Sequence, residues 1–334
     1  MKKIILAFFI VSFLLFFMIT SCKKNLPKPM GISHPLDTIT VAGGNGKGSA
    51  ANQLNYPAGL FVDSIGNVYV ADFSNHRVQK WAPGADSGLT VAGGNGKGDA
   101  ANQLAFPEGI FVDKNGNLFI ADFDNGRVQE WITGADSGIT VAGGNGVGSA
   151  ADQLVNPCGV YIDASGNLYV SDLANYRIQK FPPNSTSSTN GVTVAGGNGG
   201  GDGANELDLP TGLFVDGSGN IFEGENVNMR VQKFPAGSTN TTNGITVAST
   251  INIGLPDDVF VDTMGNIYVT GYNRILKWAP GVADSTVVAG NSNGQYGAAY
   301  NELASPSFIF LDAGAKNLYI SDGDNNRVQK WGLK

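Results

Sequence analysis

From residue 37 onward the chain reads as short apolar stretches of three to five residues, each ended by Gly, Pro, Asn or Asp. Leu60-Phe61-Val62, Val68-Tyr69-Val70, Arg77 to Trp81 and Thr90-Val91-Ala92 form one such set, rich in β-branched and aromatic residues. That composition and the turn residues between them predict strands. No segment after residue 37 sustains the 3.6-residue apolar period of a helix. The set recurs six times, marked by the valine of a Thr-Val-Ala-Gly-Gly segment or its variant at Val41, Val91, Val141, Val194, Val247 and Val288. The spacings are 50, 50, 53, 53 and 41; the fifth unit is short because Ala248 to Pro256 replaces a long glycine-rich stretch such as Gly43 to Pro57.

Four-stranded units of about 40 to 50 residues in such a series are the signature of a β-propeller. The predicted fold is all-β: a six-bladed β-propeller of four-stranded antiparallel blades over residues 37–334. A linear solenoid would leave open sheet edges and needs polar caps that are missing here. The repeat begins on an outermost-type strand, Ile39 to Ala42, and ends on a third-type strand, Arg327 to Trp331. The N-terminal strand is therefore expected to join the C-terminal blade and close the ring.

Residues 1–22 have a different pattern. Lys2 and Lys3 precede an unbroken run from Ile4 to Ile19, apolar except for Ser12, and then Thr20, Ser21 and Cys22. The run holds 16 residues, short of the roughly 20 a spanning helix needs, so it reads as a signal peptide. Ile19-Thr20-Ser21-Cys22 resembles the lipobox of bacterial lipoproteins, which implies acylation of Cys22, a membrane attachment through that lipid, and a place in the bacterial cell envelope. By the same resemblance, Lys23 favours the outer membrane. Secretion with an incidental cysteine is the alternative. Residues 23–36, with Pro27, Pro29 and Pro35, read as a tether. If Cys22 is acylated, Cys158 has no disulfide partner. Without residues 1–21 the chain carries 19 basic and 28 acidic residues, a formal charge of −9, which argues against nucleic acid as a partner.

Within the repeats, Pro-x-Gly, then Val-Asp, then Gly-Asn-x-Tyr-Val-Ala-Asp, then Asn-x-Arg-Val-Gln-Lys-Trp resembles the NHL repeat. Repeats at Pro57, Pro107 and Pro157 fit best. The fourth departs, with Glu223 and Glu225 in place of Val70 and Asp72; the fifth has Gly271 in place of that Asp; the sixth has Ser307-Phe308 in place of x-Gly. The resemblance implies a propeller and no single activity, since its members include binding domains and a few lyases.

Calling the strands of a unit a to d outward, alternation of direction brings the d–a and b–c loops to one face. Most chemistry-bearing residues of those loops recur around the ring and read as architecture. The glycine-rich d–a loops lack the following helix and the Lys-Ser/Thr step of a phosphate loop. Asp72 with Arg77, and its counterparts, read as a bidentate pair closing the b–c turn. The Asp after Val62 and its equivalents reads as a turn former, and Trp81 and its equivalents as packing.

Only His34 and His76 are present, too few for a lyase that holds zinc with several histidines, and Ser74, His76 and Asp72 have no spacing that builds a triad. A lactonase-like centre with Ca²⁺ held by acids at the channel mouth, or a lyase-like propeller enzyme, remains the alternative. The leading expectation is a binding scaffold for a protein, peptide or carbohydrate ligand that requires no cofactor.

Candidate ligand positions are those that vary on the repeated frame. The residue between Pro and Gly reads Ala58, Glu108, Cys158, Thr211, Asp257 and Ser307; the residue before the Arg reads His76, Gly126, Tyr176, Met229, Asn273 and Asn326. Any site is expected to centre on blades four and five, where Glu223, Glu225, Asp257 and Asp258 would make an acidic opening, with Glu223 set among apolar strand-b neighbours. Neutral drift and repeat decay explain the same variation. For the anchor, Cys22→Ala is expected to abolish incorporation of a fatty-acid analogue and block processing; retained labelling would count against acylation.

Overall fold

Each repeat folds as an antiparallel meander because its apolar stretches are only long enough for one strand and the turns between them are pinned from within. At the a–b turn, Asp63 Oδ1 accepts from the amides of Ile65 and Asn67 at 3.1 and 2.8 Å, and Oδ2 from Asn67 Nδ2 at 2.6 Å. Aspartates at 113, 163, 216, 262 and 312 repeat this turn.

In the computed structural model, which describes residues 38–249 and 254–333, the strands form six separate four-stranded sheets. The first strand is β1 (Thr38–Gly43). Blade one is β2 (Pro57–Val62), β3 (Val68–Asp72), β4 (Arg77–Trp81) and β5 (Leu89–Gly93). Blade two is β6 (Pro107–Val112), β7 (Leu118–Asp122), β8 (Arg127–Trp131) and β9 (Ile139–Gly143). Blade three is β10 (Pro157–Ile162), β11 (Leu168–Asp172), β12 (Arg177–Phe181) and β13 (Val192–Gly196). Blade four is β14 (Pro210–Val215), β15 (Ile221–Glu225), β16 (Arg230–Phe234) and β17 (Ile245–Ser249). Blade five is β18 (Val259–Val261), β19 (Ile267–Gly271), β20 (Arg274–Trp278) and β21 (Thr286–Gly290). Blade six is β22 (Pro306–Leu311), β23 (Asn317–Asp322) and β24 (Arg327–Gly332), completed by β1. The segments expected to be a signal peptide and tether, with Cys22, lie outside the described residues.

Blades meet through apolar clusters that each draw on two neighbours. Leu60, Val70 and Trp81 of blade one pack with Ala42, Phe308, Tyr319 and Val328 of blade six. The strand-c aromatics Trp81, Trp131, Phe181, Phe234, Trp278 and Trp331 are all buried, as the repeat implied. Strands β2, β6, β10, β14, β18 and β22 touch in that order and back to β2, enclosing the axis. Glycine after the proline's neighbour permits this approach: a Cβ on Gly59 would collide with the Glu108 carbonyl oxygen, and one on Gly109 with that of Cys158.

The Asp–Arg pairs are connected differently from the expected bidentate fork. Arg77 gives Asp72 Oδ2 only its Nε–H, at 2.8 Å, while Nη2 donates to the carbonyls of Ala50 and Gln53 in the d–a loop at 3.1 and 3.2 Å. Asp72 also accepts from the Asn55 amide at 2.7 Å and from Asn75 Nδ2 at 2.8 Å. One buried ion pair thus ties the b–c turn to the long d–a loop, and this contact places both loops on one face.

Ring closure is as the repeat phase requires: Ile39 pairs with Lys330, Thr40 with Gln329 and Ala42 with Val328, past a bulge at Val41. Deleting residues 37 to 43 bares the full edge of β24 and removes Ala42 and Val41 from an inter-blade cluster. The truncated protein is expected to lose cooperative thermal unfolding or to aggregate; an unchanged melting temperature would show that the ring does not need this strand.

Candidate functional site

Strand a of each blade brings the residue after its proline to the axis on the face of the d–a and b–c loops. Four residues after each proline stands an aromatic: Phe61, Phe111, Tyr161, Phe214, Phe260 and Phe310. These six close a ring, with centroid separations of 5.2, 5.2, 5.3, 4.7 and 5.8 Å in blade order and 5.0 Å from Phe310 back to Phe61. All contacts are tilted or edge-on, the favoured geometry for aromatic pairs. The ring plugs the far end of the channel. Above it a cavity of about 60 Å³ is walled by Leu60, Ile110, Val160, Leu213 and Asp258, room for a water or two at most. A ligand larger than that meets the axis only from the open mouth.

At the mouth stand two half-buried acids, Glu108 in blade two and Asp257 in blade five, which face each other across a six-bladed ring. Cys158 donates to Glu108 Oε2 at 3.4 Å, and Asn226 Nδ2 donates to Asp257 Oδ1 at 2.6 Å. Burial pushes Glu108 up to about 8, with a smaller push from Asp257. Burial likewise pushes Asp257 up to about 7. Both therefore change charge near neutral pH. Cys158 is a free, fully buried thiol, pushed up by burial and by Glu108, and is no nucleophile in this setting.

The other expected site residues are placed differently. Glu223 is fully buried, its Oε2 accepting from Ser171 Oγ at 3.3 Å across the blade three–blade four seam. Its Oε1 has no hydrogen-bond partner among the described residues. Burial, reinforced by Glu225 and Asp258, pushes its pKa well up, so it is held protonated. Glu225 takes the aspartate's part, receiving Arg230 Nε at 2.6 Å and the Asp208 amide at 3.1 Å. It serves the blade frame and not the opening. Asp258 stands where blades one to four have glycine and accepts from the Ile309 amide at 2.9 Å inside the channel. The acids that share the mouth thus come from blades two and five, because the ring, and not chain proximity, sets who faces whom.

Three of the residues before the Arg, His76, Asn273 and Asn326, are inter-blade latches. This position adopts left-handed backbone, φ 55° at His76, 54° at Tyr176 and 50° at Met229. His76 Nδ1 accepts from the Phe106 amide at 3.2 Å, Asn326 Oδ1 from the Tyr56 amide at 3.0 Å, and Asn273 Oδ1 from the Ser305 amide at 3.0 Å. In each case the donor is the residue before the next blade's proline. His76 is kept neutral by burial and by nearby Lys97. The sequence reading missed the aromatic ring, although its signal, an aromatic four residues after every proline, was in the repeat.

A calcium centre of the lactonase kind needs several converging oxygen ligands. Among the described residues no three His, Cys, Asp or Glu side chains gather to hold a metal ion, and the orphaned Oε1 belongs to a carboxyl held neutral. This donor set does not fit such a centre.

The geometry defines a six-bladed propeller with a plugged axis and a titratable acidic mouth. Residues 54–81 and 104–131 match the model of the NHL repeat, and the chain carries NHL repeats there. Among solved structures the fold resembles a gluconolactonase from Xanthomonas campestris, with 14% identity, 89% of each chain covered and a TM-score of 0.66. It also resembles virginiamycin B lyase from Staphylococcus aureus, with 13% identity over 86% of this chain and 82% of that one, TM-score 0.54. A third is a chain of a nidogen–laminin complex, with 21% identity over 69% of this chain and 78% of that one, TM-score 0.53. No curated protein matches by sequence. At these identities the likeness shows the fold alone.

Raised carboxyl pKa values have a definite consequence for stability. Above about pH 4.3, where a free Glu ionises, the folded chain still holds protons that the unfolded chain releases, so stability falls with rising pH up to the folded values. The melting temperature is expected to be lower at pH 8 than at pH 5. Glu223→Val should reduce that slope and add about 1–3 kcal/mol at pH 8; a variant no more stable, with the slope intact, would show that Glu223 is not under this strain.

Proposed function

We propose that this protein is a non-catalytic binding module whose open face takes a protein, peptide or carbohydrate ligand, with a cationic or hydroxyl-rich group of that ligand seated between Glu108 and Asp257. The observation that carries this reading is the pair itself. Two acids sit half-buried on a repeated frame, in the only positions of their ring where a carboxyl follows the proline. They oppose each other above a channel that ends at the aromatic plug. A pocket that polar groups enter from one side suits recognition of a ligand tip.

The surrounding rim supports a macromolecular or oligomeric ligand. Tyr56, Tyr272, Tyr296 and Tyr300 are exposed on this face, and tyrosine supplies large contact area with a polar tip at low entropic cost. The protein is proposed to work outside the cytoplasm, in the cell envelope, held to the membrane by lipid on Cys22. The likeness to lactonases and lyases rests on the fold, and the engagement of His76 with the Phe106 amide supports the binding reading over theirs. The nidogen–laminin chain shows that the fold also occurs in protein complexes.

Ionisation of the pair sets the sign of the pH response. A lysine amine stays protonated below about pH 10, whereas Glu108 and Asp257 gain charge as the pH passes about 7 to 8. Calorimetric titration with lysine-rich peptides is expected to give affinity that rises between pH 6 and pH 8.5. The double variant Glu108→Gln, Asp257→Asn should lose about tenfold in affinity at the upper pH. Equal binding by the variant would remove the mouth from the site, and chelator-sensitive hydrolysis of aldonolactones would favour the catalytic reading.

A further inference from the structure

One lysine of the mouth face shows how its rim holds an ammonium group. Lys97, in the loop that leads into blade two, places Nζ 2.6 Å from Asp124 Oδ2 and 4.3 Å from the centroid of the Phe106 ring. A carboxylate and an aromatic face thus share one charge. Asp124 stands two residues after Asp122 in the b–c turn, and Phe106 stands just before Pro107.

Blade six repeats this frame without the lysine. Asp324 follows Asp322 as Asp124 follows Asp122, and of the six b–c turns only these two carry an acid at that position. The loop position is fixed by a bridge to the leucine ahead of the inner strand: Lys97 bridges Leu104 in blade two, and Tyr296 bridges Leu303 in blade six. A tyrosine therefore takes the place of the lysine. Ser305 takes the place of Phe106 and donates its Oγ–H to Asp324 Oδ2 at 2.6 Å, which fixes one edge of the carboxylate. Among the described residues nothing donates to Oδ1, and no lysine or arginine pairs with Asp324.

The aromatic ring lost at 305 is returned by Tyr56 of blade one. It lies over Gly323, where a Cβ would meet the ring at 3.4 and 3.5 Å, and its centroid is 6.1 Å from that of Phe73. Asp324 is exposed, and Tyr56 and Tyr296 are 39% and 56% exposed. Partial burial raises the pKa of the Tyr56 hydroxyl, with further pushes from Asp257, Asp324 and Glu108, so this ring lies within electrostatic reach of the rim acid and of both mouth acids. Partial burial and then Asp324 raise that of Tyr296.

We infer that the seam between blades six and one is a second subsite of the mouth face, where Asp324, Tyr56 and Tyr296 take a lysine ammonium from a bound peptide. The group that fills the equivalent place in blade two is a lysine side chain, which is why the ligand is assigned as a lysine-bearing peptide crossing Tyr56 between rim and mouth. The inference rests on the mouth reading for the peptide's other point of contact; the rim site stands on its own residues. An exposed ion pair and an exposed cation–aromatic contact together amount to about fivefold in affinity.

The first arm of the test reads the rim alone. In the Glu108→Gln, Asp257→Asn background, Nα-acetyl-lysine amide is titrated at pH 8 against protein with isotope-labelled tyrosine rings, Tyr56→Phe and Tyr296→Phe serving to assign the two signals. Both signals are expected to shift, and Asp324→Asn to remove the shifts without altering the melting temperature. The second arm measures tetralysine affinity by calorimetry in the otherwise unaltered full chain. Asp324→Asn and Tyr296→Lys are each expected to lose about fivefold, the second because a lysine at 296 rebuilds the ion pair of blade two and shuts the peptide's amine out. Rim signals that stay still, or tetralysine affinity unchanged in both variants, would overturn the inference. An equal shift with the norleucine analogue or with cellotetraose would overturn the assignment to an ammonium group. Rim signals that move while the mouth double variant binds tetralysine as the wild type does would remove the mouth from the site and leave the rim standing.

Discussion

The buried carboxylate–arginine contact at the top of five of the six blades is what the rest of the molecule depends on. A long glycine-rich d–a loop has little apolar surface of its own and no regular hydrogen-bonding partner. The arginine supplies one by donating to loop carbonyls with one end of its guanidinium and to the carboxylate with its Nε–H. The carboxylate in turn caps the chain where it re-enters the inner strand, through the Asn55 amide and its equivalents at Ala105, Val155, Asp208 and Ala304. Removing one partner of such a pair leaves a buried charge, at a cost of about 3–5 kcal/mol. Blade four keeps the arrangement with Glu225, whose longer side chain still reaches Arg230. Blade five has Gly271 there, and Arg274 gives Nη1 to Ser292 O at 2.9 Å; this is also the blade with the shortest loop, which has least to hold.

With the loops fixed, the axis follows. Inner strands approach closely enough that glycine is required beside the Glu108 and Cys158 carbonyls, and the same narrowing brings six aromatics into a closed ring. The plug and the mouth are two ends of one constraint. Strand a can carry a side chain into the axis only where the ring is wide, at the residue after the proline, or must fill it with rings where the strand reaches the opposite face. Blade five shows the exception: Asp258 occupies a glycine position and spends its carboxylate on the Ile309 amide.

This division explains why the acids differ in role though they look alike in the sequence. Glu223 and Asp258 sit behind or within the wall and are neutralised or bonded there, while Glu108 and Asp257 keep partial contact with solvent and titrate near neutral pH. Burial raises all of their pKa values, but only at the mouth does a charge, once formed, meet solvent and not a wall.

The sequence by itself determined the fold. Apolar period, turn residues and a repeat out of phase by one strand are local or countable, and they fixed six blades, the strand order and the closing pair of β1 with β24. It also determined the turn aspartates and the buried strand-c aromatics, because each recurs in register. Only the tertiary structure decided the site. Which acids face one another depends on ring geometry: Glu108 and Asp257 are 149 positions apart in the chain and opposed because six blades place the second across from the fifth. Glu225 reads as a departure until Arg230 is seen beside it, and His76, Asn273 and Asn326 read as variable until each is found holding the next blade's amide. A repeat records what every blade must do; what one blade does for another is set by contacts that the chain makes only after the ring has closed.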